Sequence, residues 1–291
     1  MKFPLCFLLL FGLPLVAQYT PATPGQNDPV EPFRIIGNIY YVGASEVTSY
    51  LITSPEGDIL LDGGFPETAL VIERNIQKLG FKLTDVKALI STHAHFDHAG
   101  GLAELKRATG AKFYASAADQ PLLAAGGKGD FAFGDRLLFP AVIADETVKD
   151  GQVLRAGSAA MQAHLTPGHT KGCTTWTADV IENGAKHTAV FVCSISMPGG
   201  YKLVNNAKYP QIAEDYKRTY QKLQALHPDV FLGSHASFYD LKTKRAKQLK
   251  GSAPNPFIDP TGYQAFVADN EKTFEAELKK QQRKVAAVVT K

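Results

Sequence analysis

The sequence predicts an α/β domain of two similar halves, two sheets packed together with helices outside, and three observations predict it. Strand-like segments followed by helical ones occur in two successive sets, at 33–125 and 148–282. No linker rich in Pro, Gly or Ser divides the sets, so 33–291 reads as a single domain. The 291 residues are 45% hydrophobic and 20% charged, which is ordinary globular composition at a length one large α/β domain can fill. That composition excludes a disordered, collagen-like or coiled-coil chain. A net charge of +3 leaves no nucleic-acid footprint. A chain this long buries well over half of its unfolded surface and needs no disulfide framework to fold.

Met1-Lys2 followed by the apolar run Phe3 to Ala17 reads as a secretory signal peptide over 1–17, shorter than the ~20 apolar residues of a spanning helix. Cys6 stands at the front of that run, the wrong place for lipid attachment. Residues 18–32, rich in Pro, Thr, Gly and Gln, read as a flexible lead-in. Phe33 to Val42 is β-rich and broken by a hairpin turn at Gly37-Asn38. Val47 to Thr53 and Asp58 to Leu61 are strands around Pro55-Glu56-Gly57, and Asp62-Gly63-Gly64 ends the second. Leu70, Ile72, Ile76 and Leu79 mark an amphipathic helix between Pro66 and Gly80. Val86 to Ser91 is a continuous apolar strand of the kind buried on both faces. A helix (Leu102 to Ala108), a strand (Lys112 to Ala115) and a short helix (Ala117 to Ala125) follow.

Gly126-Gly127-Lys128-Gly129 opens an irregular stretch to Ala144. Its length suits a lid over a site, and its glycines lack P-loop spacing. Strands return from Val148 to Thr166 and from Thr174 to Val180, and Asn183-Gly184 is a type I′ hairpin signal leading into Thr188 to Cys193. Ile212, Tyr216, Tyr220 and Leu223 form a helical core stripe. Val230 to Leu232 is a last short strand. The run Lys242, Lys244, Arg245, Lys247 reads as a solvated helix face. Asp259-Pro260 reads as an N-cap and first helical residue ahead of a face carrying Tyr263, Phe266, Val267, Phe274 and Leu278. Once 1–17 is cleaved, Cys173 and Cys193 are the remaining cysteines, either one disulfide or two buried thiols.

The chemistry concentrates in Ser91-Thr92-His93-Ala94-His95-Phe96-Asp97-His98, directly after the buried strand. In an extended segment His93 and His95 point to one side, and a turn into a helix swings Asp97 and His98 toward a neighbouring point. Imidazole and carboxylate suit zinc, bound at catalytic sites by three protein ligands with one position open. Two more histidines stand just past strands, His169 in Thr166-Pro167-Gly168-His169-Thr170 and His235 in Leu232-Gly233-Ser234-His235. His164, His187 and His227 lack ligand-like surroundings and read as structural or solvent-facing. No G-x-S-x-G motif marks a serine hydrolase, and no G-x-G-x-x-G follows a strand.

The H-x-H-x-D-H motif, the T-P-G-H-T and G-S-H segments and the doubled α/β layout resemble the metallo-β-lactamase fold superfamily over essentially the whole mature chain. That resemblance implies an αββα sandwich with the metal site at the edge of the β-sandwich. Thioesterases, lactonases and phosphodiesterases of the superfamily carry a bridging aspartate after a later strand, where this chain reads Cys193-Ser194-Ile195-Ser196. Ser194 at that position, with His98 in the motif, is similar to class B β-lactamases of subclass three. Gly168-His169-Thr170 with Gly172 and Trp176, Asn206 through Tyr209-Pro210, and Glu214-Asp215-Tyr216 agree with that subclass. A register shift of one would instead make Cys193 a thiolate ligand. The resemblance favours a disulfide from Cys193 to Cys173.

What the resemblance further implies is two zinc ions per chain, one held by His93, His95 and His169 and the other by Asp97, His98 and His235. A zinc-bound hydroxide oriented by Asp97 would open the β-lactam ring of penicillins, cephalosporins and carbapenems. Ser194 and Ser196 would bind the substrate carboxylate, and Phe133 and Tyr201 would wall the pocket. The expected protein is a periplasmic monomer conferring antibiotic resistance, with a small-molecule β-lactam as its partner and no nucleic acid or membrane. The alternatives are another dizinc hydrolase of the fold acting on thioesters, lactones or phosphodiesters, an iron oxidoreductase on this scaffold, and a non-catalytic zinc protein. A purely structural site is normally closed by four ligands, which six ligands with open positions do not match.

Overall fold

The computed structural model describes residues 19–289, so the expected signal peptide at 1–17 lies outside the described residues. The chain forms two sheets. The first contains β1 (Phe33–Ile36), β2 (Ile39–Tyr41), β3 (Tyr50–Ile52), β4 (Asp58–Leu61), β5 (Val86–Ile90), β6 (Lys112–Ser116) and β7 (Glu146–Val148), side by side in chain order. Neighbours from β1 to β4 are antiparallel, and those from β4 to β7 are parallel. The second sheet runs in the order β12 (Val230–Gly233), β11 (Ala185–Val192), β10 (Thr174–Glu182), β9 (Ala159–Leu165), β8 (Val153–Ala156), with only the β11–β12 pair parallel. The helices are α1 (Thr68–Lys78), α2 (Phe96–Ala99), α3 (Leu102–Thr109), α4 (Gln120–Ala124), α5 (Ile212–Gln224), α6 (Leu241–Leu249) and α7 (Pro260–Val289).

The period-two alternation of the first sheet divides its side chains between two cores. Tyr50 and Ile52 of β3, Ile59 and Leu61 of β4, and Ala88 and Ile90 of β5 join Met161, Ala163, Trp176 and Phe191 of the second sheet. The intervening Leu51, Leu60 and Leu89 pack with Ile72 and Ile76 of α1 and Leu102 and Leu105 of α3. The second sheet's other side is covered by α5 and α7, whose Tyr216, Tyr220 and Phe274 rings lie 5.3 to 6.1 Å apart. The expected αββα sandwich is therefore present, and β5 is buried on both faces as its uninterrupted apolar run requires. The Trp176 indole donates to Ser91 O at 3.1 Å, so this large buried ring leaves no polar atom unsatisfied at the strand end where the histidines begin.

Several local expectations hold. Asn183 and Gly184 both have positive φ, 51° and 79°, as a type I′ turn demands. Asp259 Oδ1 accepts the Gly262 N–H at 2.9 Å, capping α7. The stretch 126–144 forms no helix or named strand. Gly126 and Gly127 serve close packing, since a Cβ at Gly127 would stand 2.3 Å from Leu137 O and one at Gly126 2.5 Å from Phe139 O.

Other expectations need correction. Leu70 was placed on the buried stripe of α1, yet it is 56% exposed, and Ala69 with Ile72 and Ile76 forms that face. The short helix begins at Gln120, not Ala117, because Asp119 is drawn into bonds elsewhere. The basic run on α6 is not a solvated face throughout. Lys244 is buried with its Nζ 2.9 Å from Asp259 Oδ2, and the Arg245 guanidinium lies 4.0 Å from the centre of the Phe33 ring. The Lys244 ammonium lies 5.5 and 5.8 Å from the centres of the Phe231 and Tyr239 rings as well as beside its carboxylate, whereas Lys242 and Lys247 stay exposed. Within the lead-in, residues 19–32 lack regular strands or helices but are pinned to the body. Thr20 N donates to Leu138 O at 2.9 Å, and the Thr68 hydroxyl donates to Asn27 Oδ1 at 2.6 Å. Among the described residues no helix is long and apolar enough to cross a membrane.

Candidate metal centre

The histidine-rich segment behaves as its spacing predicts. The chain stays extended past β5 to His95 (φ −98°, ψ 157°) and then turns into α2, so His93 and His95 project from extended backbone and Asp97 and His98 from the first turn. His169 leaves the β9–β10 connection through Pro167-Gly168. Gly168 has φ +143°, and a Cβ there would stand 2.8 Å from the Tyr216 ring, so the turn that aims His169 requires glycine. His235 follows β12, whose last carbonyl, Gly233 O, accepts the hydroxyls of Thr48 at 2.8 Å and Tyr50 at 2.7 Å.

These six residues converge as two triads. One ligand atom each from His93, His95 and His169 lies within 4.8 Å of the others, with His95 Nδ1 and His169 Nε2 3.0 Å apart. In the second, Asp97 Oδ2 is 3.4 Å from His98 Nε2 and 3.7 Å from His235 Nε2, and the two Nε2 atoms are 3.2 Å apart. The His93 and His98 rings, 4.3 Å between centres, join the triads. Imidazole lone pairs facing each other at such distances repel unless a proton or a cation sits between them. Ligand atoms about 2.0–2.1 Å from a tetrahedral zinc stand about 3.3 Å from one another, close to the separations here. Nitrogen with a single carboxylate oxygen is also a donor set zinc accepts. The residues therefore fit a metal.

Each imidazole turns its other nitrogen toward an oxygen. His93 Nδ1 is 3.0 Å from Thr92 Oγ1, whose own proton goes to Asp62 Oδ2 at 2.7 Å. His98 Nδ1 is 3.4 Å from the same Asp62 oxygen. His169 Nδ1 donates to Ser196 O at 2.9 Å. His95 Nε2 faces Asp130 Oδ2 at 3.5 Å, and His235 Nδ1 faces Glu46 Oε1 at 3.6 Å. Such partners fix the tautomer that leaves the inward nitrogen free to bind.

Burial and the crowd of imidazoles push His93 and His169 well below their ordinary pKa, and His235 falls to about 4 for the same reasons. These three are neutral lone-pair donors at pH 7. Burial opposes a charge on His98, but the carboxylates of Asp97 and Asp62 outweigh it and push that group up to about 10. Asp97 is held below the usual carboxylate range, its burial outweighed by His98 and His235. The second triad therefore draws positive charge.

The irregular 126–144 stretch covers one side. The Phe133 ring stands 5.4 Å from that of His95 and 6.0 Å from that of Tyr201. Tyr201 donates its hydroxyl to His169 O at 2.7 Å. Both expected wall residues are thus beside the first triad. Ser194, at the end of β11, is buried with its hydroxyl 3.0 Å from that of Ser234. Ser196 contributes its carbonyl to His169 and to the Tyr216 hydroxyl. A disulfide joins Cys173 to Cys193, Cα atoms 6.0 Å apart, which removes the alternative in which Cys193 is a thiolate ligand. His164 bonds Thr177 at 2.9 Å and His187 faces Asp229 at 3.9 Å, both outside the triads.

Sequence reasoning missed the carboxylates behind the imidazoles. Asp62 carries one signal, a non-glycine residue at a strand end before Gly-Gly, and its φ is +63°. Asp119, Asp130 and Glu46 carry none, Asp119 falling within the expected helix from Ala117 to Ala125 and the other two being isolated acids outside expected helices. Asp119 accepts Ala94 N at 3.0 Å, the Thr170 hydroxyl at 2.8 Å and Gly172 N at 2.7 Å.

Comparison with known proteins bears on this geometry. The family description "Metallo-beta-lactamase superfamily" matches residues 42–235. Among solved structures, the native FEZ-1 metallo-beta-lactamase from Legionella gormanii is 43% identical with a TM-score of 0.86, covering 88% of this chain and 98% of its own. BJP-1, a subclass B3 metallo-beta-lactamase of Bradyrhizobium japonicum, is 38% identical with a TM-score of 0.83, covering 90% and 98%. A class B3 di-zinc metallo-beta-lactamase, LRA-12, from an Alaskan soil metagenome, is 36% identical with a TM-score of 0.83, covering 88% and 97%. Curated relatives include the hydroxyacylglutathione hydrolase of Methylobacterium nodulans, 34% identical over 38% of this chain and 35% of that protein. That of Rhodopseudomonas palustris is 29% identical over 62% of this chain and 58% of that protein. The chain thus spans about a third to three fifths of the length of these curated relatives.

Proposed function

We propose that this chain, which belongs to the metallo-beta-lactamase superfamily, is a zinc-dependent β-lactamase that opens the ring of penicillins, cephalosporins and carbapenems. One observation carries the reading: five imidazoles and one carboxylate form two triads, and serine, not aspartate, stands at the end of β11. His93, His95 and His169 would hold one zinc ion, and Asp97, His98 and His235 a second. Zinc there supplies a Lewis acid and lowers the pKa of a water to about 7.

The chain's own groups do the rest. Asp97 Oδ2 stays ionised and offers an acceptor that orients the attacking water. Glu46, Asp62, Asp130 and Ser196 O hold the imidazole tautomers. Phe133 and Tyr201 wall the first triad and exclude bulk water. Ser196, half-buried, would offer its hydroxyl to the substrate carboxylate, whereas the hydroxyl of Ser194, expected to do the same, is buried and paired with that of Ser234. Export through residues 1–17 to an oxidising compartment, the periplasm, accords with the Cys173–Cys193 bridge.

The relatives named hydroxyacylglutathione hydrolase favour a second reading, hydrolysis of a thioester at the same centre. Zinc-loaded protein is assayed with nitrocefin, a carbapenem and a hydroxyacylglutathione, each with and without chelator. Chelator-sensitive turnover of the lactams with little thioester hydrolysis is expected. Thioester turnover without lactam turnover would replace the first reading by the second.

A further inference from the structure

The 126–144 stretch meets the centre through more than its aromatic rings. Asp130 is 4% exposed. Its Oδ1 accepts the backbone N–H groups of Ala132 and Phe133, both at 2.7 Å, and so shapes the turn that presents Phe133. Its Oδ2 is buried without a hydrogen-bond partner, and so is His95 Nε2. The two orphaned atoms face each other at 3.5 Å, while His95 Nδ1 points into the first triad. A buried polar atom left without a partner is destabilising. One proton on Nε2, donated to Oδ2, would satisfy both atoms and leave the Nδ1 lone pair facing inward.

We propose that Asp130 is a positioning residue that couples the order of the 126–144 stretch to metal occupancy of the His93–His95–His169 triad, through the Asp130 Oδ2–His95 Nε2 contact. The inference rests on the metal-centre reading and goes beyond it: metal and covering loop bias each other reciprocally. A metal on Nδ1 makes Nε2–H a stronger donor and tightens the grip on Asp130. In return, a well-seated loop fixes the His95 tautomer that binds. The loop's outer edge is tied separately by Thr20 to Leu138, so release at Asp130 loosens the inner, site-facing part.

The test uses full-length mature protein, wild type, D130N and D135A. Asp135 Oδ1 accepts Gly129 N at 2.8 Å, so D135A, which removes that acceptor, disturbs the same loop without touching His95. Zinc affinity is measured by chelator competition, and loop order by tryptic cleavage at the exposed Lys128 and Arg136 with and without zinc. In wild type, zinc slows cleavage at both positions. In D130N, affinity for the zinc of the His93–His95–His169 triad falls about ten- to hundredfold, saturating zinc no longer protects the loop, and the absorption of cobalt(II) in that triad changes. D135A speeds cleavage but leaves zinc affinity within twofold. Unchanged zinc affinity in D130N, or an equal loss in D135A, would overturn the coupling while leaving the metal centre standing. Wild-type protein that takes up no zinc would overturn both.

Discussion

The Asp119 carboxylate accepts the Thr170 hydroxyl at 2.8 Å, and that bond ties the connection carrying His169 to the connection carrying His93 and His95. Ala94 N, between the two histidines, donates to the same oxygen, and Gly172 N donates to the other. One buried side chain thus sets the distance between three of the six converging residues. Replacing Asp119 by Ala strands three donors in a buried place, at about 1–3 kcal/mol each. We expect the urea midpoint of the zinc-free protein to fall by an amount equivalent to about 3–5 kcal/mol. The Asn variant, which keeps one acceptor oxygen, should lose less. A midpoint unchanged in Asp119→Ala would show that these connections are set by something else.

Asp97 has a different role, because it faces into the second triad. Changing it to Asn keeps the shape and removes the charge that His98 and His235 surround. Hydrolytic turnover should fall by at least about a hundredfold, on the scale of a lost acid–base group. Metal analysis of the purified variant should show less than the wild-type zinc content. Turnover within a fewfold of wild type at full zinc loading would remove Asp97 from the machinery.

How far the centre could be read from sequence depends on where its parts sit. His93, His95, Asp97 and His98 lie within six consecutive positions, and strand-to-helix geometry alone brings them together. His169 and His235 were legible only as histidines just past strands. The folded chain brings them to the same point because the β9–β10 connection and the end of β12 open at one edge of the sandwich. Asp119 and Asp130 were not legible, since an isolated acid, whether in a loop or at an expected helix start, looks the same when it faces solvent as when it faces a buried donor. The misreading of Lys244 has the same origin. Its partner Asp259 and the rings of Phe231 and Tyr239 come from other elements, which charge spacing along one helix does not contain.

The Cys173–Cys193 bridge spans a sequence separation of 20 beneath the His93 segment, where Thr174 N donates to Thr92 O at 2.8 Å. A loop of that length contributes on the order of 3 kcal/mol by constraining the unfolded chain. The double variant C173S/C193S should therefore melt lower by roughly 5–10 °C for a protein of this size. Calorimetry of oxidised and double-variant protein checks this, and alkylation of unreduced protein should label neither cysteine.

Asp58 supplies a pH prediction independent of the metal. Its Oδ1 accepts Ser54 N at 3.1 Å, its Oδ2 is buried without a partner, and burial raises its pKa from the ordinary 3.8 to about 6, with Asp85 adding to the rise. A folded-state pKa above the unfolded one means that the fold favours the protonated carboxyl. That contribution is whole below about pH 4 and is lost as the pH rises through 6, leaving a charged, half-satisfied oxygen at neutral pH. The loss amounts to about 1–3 kcal/mol, since one pKa unit corresponds to about 1.4 kcal/mol. Asp58→Asn keeps the acceptor for Ser54 and can never ionise. It should therefore differ least from wild type at about pH 4 and below, and exceed it at pH 7.5. The comparison is made between variant and wild type at each pH with the same chelator present, which cancels the titration of the histidines common to both. A stability difference that is flat from pH 4.5 to 7.5 would mean that Asp58 is solvated and ionised in both states, and that the turn from Ser54 to Asp58 opens to water.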